Sequence, residues 1–85
     1  MKEFDYVIAD PVGVHARPAG LLVKKASEFK SEIIISNGEK SAEAKKLISL
    51  MGLGIRNGDK IHCRIEGEDE EDALLEMQNF FRENL

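Results

Sequence analysis

Tryptophan is absent from the sequence, cysteine occurs once, and aromatic residues make up only 6% of the 85 residues. The single Cys63 excludes an internal disulfide framework and is typical of a reducing compartment, so we expect a cytoplasmic protein. No apolar run approaches the roughly 20 residues that cross a bilayer, and residues 1–10 lack the apolar segment of a signal peptide. We therefore expect no insertion into a membrane, and a core built mainly from Ile, Leu, Val and Ala.

The sequence also lacks a basic excess, since its net charge is −4 at pH 7. Residues 1–65 have a net charge of +3, whereas residues 66–85 have a net charge of −7. Nucleic-acid-binding proteins usually have a clear basic excess and aromatic side chains that stack on bases, so we expect no nucleic-acid partner. The mildly basic first part is instead suited to an acidic protein partner.

Recognisable sites for cofactors and metals are missing too. There is no glycine-rich phosphate loop ending in Lys-Ser or Lys-Thr and no cluster of metal-ligating acids, so we expect no cofactor and no metal. His62 has no second ligand close in the sequence. Cys63 points inward by strand alternation, which predicts a small core residue. The acidic stretch from Glu66 to Asp72 lacks the spacing of a calcium loop and is predicted to be a solvated helix start.

What the sequence does contain is regular periodicity. Alternation predicts strands at residues 2–9, 32–36, 39–44 and 60–67, and helical spacing predicts helices at residues 16–29, 45–53 and 68–85. Asn37-Gly38 predicts a type I′ hairpin turn, because that turn needs positive φ at both central positions. Each strand has one apolar face and each helix one apolar stripe. We therefore expect an α+β fold in a single domain over residues 1–85: a mostly antiparallel four-stranded sheet covered on one face by three helices.

Residues 13–20 read GVHARPAG and begin the first predicted helix, because Pro18 is acceptable only in a first turn. One interpretation is structural: His15 caps the helix and Arg17 lies in solvent. The other is an anion site, because a helix N-terminus offers free N–H groups and a partial positive charge. In that case Arg17 adds a guanidinium able to make paired hydrogen bonds to a phosphate.

His15 would give such a site a nucleophile, since imidazole is reactive near neutral pH. A phosphoryl group on a ring nitrogen of His15 would lie beside Arg17 and the free N–H groups. Its P–N bond stays reactive, so the group can be passed on rather than stored. Because nucleotide-binding machinery is missing, we expect the phosphoryl donor to be another protein.

His15-Ala16-Arg17-Pro18-Ala19 following Gly13 resembles the phosphorylation-site motif of the HPr family. These proteins are the histidine-containing phosphocarriers of the bacterial phosphoenolpyruvate-dependent sugar phosphotransferase system. The resemblance covers essentially the whole chain, including the Leu53-Gly54 pair after the second helix and the acidic last helix. It implies the HPr open-faced β-sandwich, βαββαβα, with the sheet order 1-4-2-3.

The resemblance also implies roles for particular residues. His15 accepts a phosphoryl group from phosphorylated enzyme I and passes it to the IIA component of a sugar permease. Ala16 and Arg17 bind the phosphate, and Arg17 stabilises it at rest and in transfer. The chain is then a carrier without independent turnover, and we expect a monomer. The alternative is a regulatory relative, which uses phosphorylation of His15 as a signal rather than for sugar uptake.

The partner surface of the family lies around the first two helices. In this chain it would consist of a polar part on the first helix and an apolar part on the second: Gly20, Lys24, Ser27, Leu47, Ile48 and Met51. The apolar residues of the second helix then form a docking patch. The structural alternative is that Leu47 and Ile48 are buried in the core.

The chain departs from the family pattern at the start of the second helix. Many HPr proteins of low-GC Gram-positive bacteria have a serine there, which an ATP-dependent HPr kinase/phosphorylase modifies. Lys46 occupies that position and cannot be modified in this way. Ser49 lies about one turn further on, where the N-terminal anion site is lost, so we expect no replacement there. Val12 is a smaller departure, because a polar residue is commoner before Gly13.

Overall fold

The computed structural model describes all 85 residues. It contains four strands and three helices in the predicted order: β1 (Lys2–Val7), α1 (Ala16–Ala26), β2 (Glu32–Asn37), β3 (Lys40–Glu43), α2 (Leu47–Met51), β4 (Lys60–Glu66) and α3 (Glu70–Asn84). The strands form one antiparallel sheet in the order β1-β4-β2-β3. The α+β architecture and the sheet order 1-4-2-3 are therefore confirmed. None of the helices is long and apolar enough to span a bilayer.

The core lies between one face of the sheet and the helices. Ile61, Cys63 and Ile65 of the central strand β4 point into it, as their alternation predicts, and all three are buried. On the helix side, Phe81 of α3 meets the rings of Phe4 and Tyr6 edge to face, with ring centroids 5.5 Å apart in each pair. Because burying one large apolar side chain contributes about 1.5–3 kcal/mol, these contacts hold α3 and β1 together.

All three helices are shorter than predicted, and the backbone next to α1 and α2 shows why for those two. Helix α1 ends at Ala26 rather than at residue 29: the N–H of Phe29 bonds to the Ala26 carbonyl, and the Phe29 carbonyl accepts from Lys45 Nζ at 2.7 Å. Helix α2 begins at Leu47 rather than at Lys45, since Lys46 is extended, with φ −117° and ψ 106°. The remaining element ends differ from the prediction by at most two residues.

The predicted type I′ turn at Asn37-Gly38 is wrong. Asn37 belongs to β2 and pairs with Lys40 of β3, so the two-residue turn is Gly38-Glu39. Of the two predicted turn residues, Asn37 and Gly38, only Gly38 has positive φ, at +66°, whereas a type I′ turn needs positive φ at both central residues. Asn37 stays in the strand because its side-chain amide donates to the Leu53 carbonyl and to Asp59 Oδ2.

Candidate functional site

A tight loop leads from β1 to the start of α1 and determines where His15 lies. The Asp10 carboxylate accepts hydrogen bonds from the N–H groups of Val12 at 2.8 Å and Gly13 at 3.2 Å. The N–H of Val14 then donates to the Ile55 carbonyl at 3.1 Å. The loop is therefore fixed both from within and against the segment that joins α2 to β4.

Helix α1 begins at Ala16, with His15 as its N-cap residue. The His15 side chain makes no capping hydrogen bond, so the interpretation of His15 as a side-chain cap is wrong. The first N–H inside the helix to find an acceptor is that of Ala19, which bonds to the His15 carbonyl at 3.0 Å. Because Pro18 has no N–H, the amides of Ala16 and Arg17 are the helix donors left without an acceptor. Pro18 lies in the first turn, as predicted.

The structure brings His15 and Arg17 to one cavity of about 230 Å³, lined by Asp10, His15, Arg17, Pro18, Leu21 and Asn84. Both side chains are exposed, and neither is held by a hydrogen bond or an ion pair within the protein. An imidazole nucleophile, a guanidinium and two unpaired amides thus occur together at a helix start. That combination is suited to binding a phosphoryl group covalently while its oxygens accept hydrogen bonds.

The second predicted group of residues lies on α1 and α2, which pack against each other. The exposed fractions are 39% for Leu47, 83% for Ile48 and 40% for Met51, whereas Leu50 is buried. The alternative that Leu47 and Ile48 belong to the core is therefore wrong. The docking patch, as the term is used below, consists of three exposed apolar residues of α2 together with two residues of α1 and its C-cap residue: Leu47, Ile48 and Met51, and Gly20, Lys24 and Ser27. Its role in binding partners stays a prediction.

Lys46, the residue at which the family resemblance led us to expect a serine, lies at the N-cap of α2. Its Nζ is 3.0 Å from Glu43 Oε2, and the Lys46 side chain is 65% exposed. Ser49, within the helix, is also exposed. The position therefore holds a cation that is paired to one neighbouring carboxylate.

His62 contacts two carboxylates that are distant from it in the sequence. Strand pairing places Asp5 opposite His62, and the ring contacts Asp5 through Nδ1 at 2.6 Å and Glu3 through Nε2 at 2.9 Å. The hydrogen bond to Asp5, followed by that to Glu3, raises the pKa of His62 above its ordinary value. The same contact lowers the pKa of Asp5. No group of three or more His, Cys, Asp or Glu side chains is arranged to hold a metal ion.

Sequence reasoning missed three residues of the His15 cavity: Asp10, Leu21 and Asn84. Asp10 had a local signal, because an aspartate two or three residues before a turn glycine often accepts the turn's N–H groups. Leu21 could have been found from its place one turn after Arg17 on the helix. Asn84 had no such signal, because it comes from the last turn of α3 at the opposite end of the chain.

Comparisons with known proteins agree with this geometry. The profile of the PTS-HPr family, described as the PTS HPr component phosphorylation site, matches residues 2–83. The phosphocarrier protein HPr of Mycoplasma genitalium is 45% identical, with 99% of this chain and 97% of that protein covered. A solved mycoplasma histidine-containing phosphocarrier protein superposes with a TM-score of 0.93 at 34% identity, covering 96% of this chain and 93% of that one.

A further solved structure is an HPr dimer from Thermoanaerobacter tengcongensis. It is 36% identical and has a TM-score of 0.77, with 98% of this chain and 95% of that one covered. The matches in sequence and in fold extend over nearly the full length, and the profile spans the helix start where His15 lies. This chain belongs to the HPr family, the phosphocarriers of the phosphotransferase system.

Proposed function

We propose that His15 accepts a phosphoryl group from phosphorylated enzyme I and passes it to the IIA component of a sugar permease. The observation that carries this proposal is the position of His15. Its ring is exposed and unpaired, directly before two helix amides without acceptors and in the same cavity as Arg17. Family membership supports the same role.

In the proposed transfer, a ring nitrogen of His15 attacks the phosphorus of the donor. The bond between phosphorus and the donor breaks, and a P–N bond to His15 forms. The phosphoryl oxygens then accept hydrogen bonds from the amides of Ala16 and Arg17, and the Arg17 guanidinium balances part of their negative charge. In the second transfer the P–N bond breaks, and its electron pair returns to the ring as the acceptor binds the phosphorus.

The proposal extends to how the chain works as a unit. Residues 1–85 would form a single cytoplasmic HPr domain that acts as a carrier, is restored after each cycle and catalyses nothing alone. The docking patch would hold both protein partners in turn, because it includes Gly20, which lies about one turn after Ala16, the first residue of α1. We propose a monomer, which light scattering at working concentration tests directly, since a dimer has twice the mass.

The test of the proposed function is incubation with phosphoenolpyruvate and enzyme I, followed by measurement of the intact mass. We expect one acid-labile phosphoryl group that His15→Ala abolishes. The matched control is His62→Ala, which removes the other histidine and should be labelled like the natural chain. Arg17→Ala should be labelled more slowly. Label on the His15→Ala variant, or none on the natural chain, would refute the carrier role.

A further inference from the structure

Asp10 is the charged residue of the His15 cavity that the proposed transfer does not use. Its Oδ1 accepts the N–H groups of both Val12 and Gly13, so the carboxylate is fixed to the loop that leads to His15. The other carboxylate oxygen, Oδ2, has no hydrogen-bond partner in the protein. The carboxylate is half-buried and lines the cavity together with His15 and Arg17.

The negative charge of Asp10 is not neutralised by a neighbour. Asp10 takes part in none of the ion pairs of the chain, and neither does Arg17. The cavity thus contains one cation and one anion that are not bound to each other. A phosphoryl group on His15 adds further negative charge to the same small space and would be attracted by Arg17 and repelled by Asp10.

We infer that Asp10 raises the free energy of the phosphorylated protein, so that its carboxylate makes the phosphoryl group on His15 easier to release. This inference rests on the proposed function. In release to water, the P–N bond breaks and its electron pair returns to the imidazole. Phosphorus bonds to the water oxygen, one water proton moves to the ring nitrogen, and the other stays on the phosphate. Transfer to a protein acceptor relieves the same repulsion.

A comparison of Asp10→Asn with the natural chain tests the effect of the Asp10 charge while the hydrogen bonds that Asp10 accepts in the turn are kept. The asparagine carbonyl oxygen can accept the same two N–H bonds, so the loop is retained and only the charge is lost. The control is Asp72→Asn, the same replacement near the other end of α3. Asp72 precedes Asn84, a lining residue of the cavity, by roughly 18 Å along the helix, which exceeds the Debye length of about 10 Å at 0.1 M salt.

Each protein is phosphorylated chemically with phosphoramidate, the label is located on His15 by fragmentation, and its decay is followed by intact mass. We expect Asp10→Asn to lengthen the half-life of the label by about three- to tenfold at low ionic strength. The difference should shrink in 1 M salt, where the Debye length is about 3 Å, because only a charge effect is screened. Asp72→Asn should decay like the natural chain.

An unchanged or shorter half-life in Asp10→Asn would overturn the inference, as would a lengthening that salt does not reduce. An equal lengthening in Asp72→Asn would also overturn it, since total charge and not Asp10 would then be responsible. Asp10→Ala should lengthen the half-life too, but it should melt at a lower temperature because the turn loses its acceptor. Labelling by enzyme I is measured in parallel: its failure would count against the proposed function and leave the Asp10 result standing.

Discussion

Gly13 lies directly against the backbone of Arg56. A Cβ on Gly13 would be 2.7 Å from the Arg56 Cα and 2.6 Å from the Ile55 carbonyl oxygen, and Gly13 has φ +81°. A side chain at this position would have to displace backbone atoms. The place of His15, two residues further on, therefore depends on a residue without a side chain.

Gly13→Ala should destabilise the protein and slow the labelling of His15. Positive φ costs a residue with a side chain about 1–2 kcal/mol, and the clash with the Arg56 backbone adds to this. Urea unfolding should show a loss of about 2 kcal/mol or more. Gly20→Ala is the control for the stability measurement, since nothing lies within 4 Å of its added Cβ, and its free energy of unfolding should rise by about 0.5–1 kcal/mol. Equal stability of Gly13→Ala and the natural chain would contradict the packing described.

Ile48→Asp should weaken the interaction with enzyme I without unfolding the chain. Ile48 is 83% exposed, so the free energy of unfolding should change by no more than about 0.5 kcal/mol. If Ile48 anchors the docking patch, the KM of enzyme I for the variant should rise by about tenfold or more. Leu75→Asp is the control, because Leu75 is also largely exposed, at 62%, but lies on α3. An equal rise for both variants would argue against a specific patch.

Incubation of the natural chain with HPr kinase and ATP should give no acid-stable phosphoserine. The family resemblance led us to expect a regulatory serine at residue 46, but the residue is lysine, and its ammonium group is paired with Glu43. Lys46→Ser should gain the modification, because a hydroxyl then occupies the N-cap of α2. The readout is acid-stable mass added to the protein, and Lys46→Ser/Ser49→Ala locates it. Phosphoserine at Ser49 in the natural chain would contradict this expectation.

The contact of His62 with Asp5 and Glu3 should make stability depend on pH. The pKa of His62 is raised above its ordinary value of 6.5, so its contribution is complete below about pH 6.5 and is lost as the pH rises through the folded-state value. The pKa of Asp5 is lowered from 3.8, so its contribution is present above that pH and is lost on acidification. The stabilising window therefore lies between these two values.

Comparing the natural chain with His62→Gln by urea unfolding tests this dependence. The natural chain should be the more stable at pH 5.5, and the difference should be smaller at pH 9 because deprotonation of His62 removes the charge that pairs with the carboxylates. The difference should be small, since the His62 side chain is 41% exposed, and it should shrink with added salt. A difference that is equal at both pH values would exclude the ion pair as its source.

Cys63 should react with thiol reagents only when the protein opens. The thiol is buried, and burial raises its pKa to about 12, so very little thiolate is available in the native state. Labelling with a chromogenic disulfide should therefore be slow in buffer and rapid in denaturant. Cys63→Ser should lower the free energy of unfolding by about 1–3 kcal/mol, because a hydroxyl without a partner would be buried. Rapid labelling without denaturant would show that the thiol is accessible.

The fold was largely predictable because its signals are local. Alternating apolar residues in β4 identify its buried face, and the apolar stripe of α3 identifies its contact with the sheet. Element ends were less predictable, because contacts between distant residues decide them. Helix α1 ends at Ala26, three residues before the Phe29 carbonyl that Lys45 binds, and no pattern within the helix reveals that partner.

Local sequence patterns also could not predict the contacts between segments that are distant in the sequence. Asp69, in the acidic stretch before α3, accepts hydrogen bonds from the N–H groups of Lys30 and Ser31 and from the Ser31 hydroxyl. The hydroxyl bond is the largest cause of the lowered pKa of Asp69. The sequence predicted only a solvated helix start there. The carboxylate instead fastens α3 to the segment before β2.

The candidate site was predictable where one motif contains it. His15, Arg17 and the amides of the first turn lie within a few residues of one another, so the helix start alone brings them together. Asn84 reaches the cavity only through the packing of α3 against α1. The sequence could not show whether Ile48 is exposed or buried, because an apolar residue at this helical spacing is compatible with either.

Helix α2 has five residues, and Leu50 is the one among them that is buried. With so few contacts, we expect this segment to open locally at a free energy well below that of global unfolding, and its amides to exchange with solvent early. The loop before His15, by contrast, is fixed by Asp10 and by the close packing of Gly13. A partner would then meet a rigid phosphoryl site beside an adaptable surface. Replacements on α2 can therefore retune the choice of partner while the chemistry at His15 stays the same.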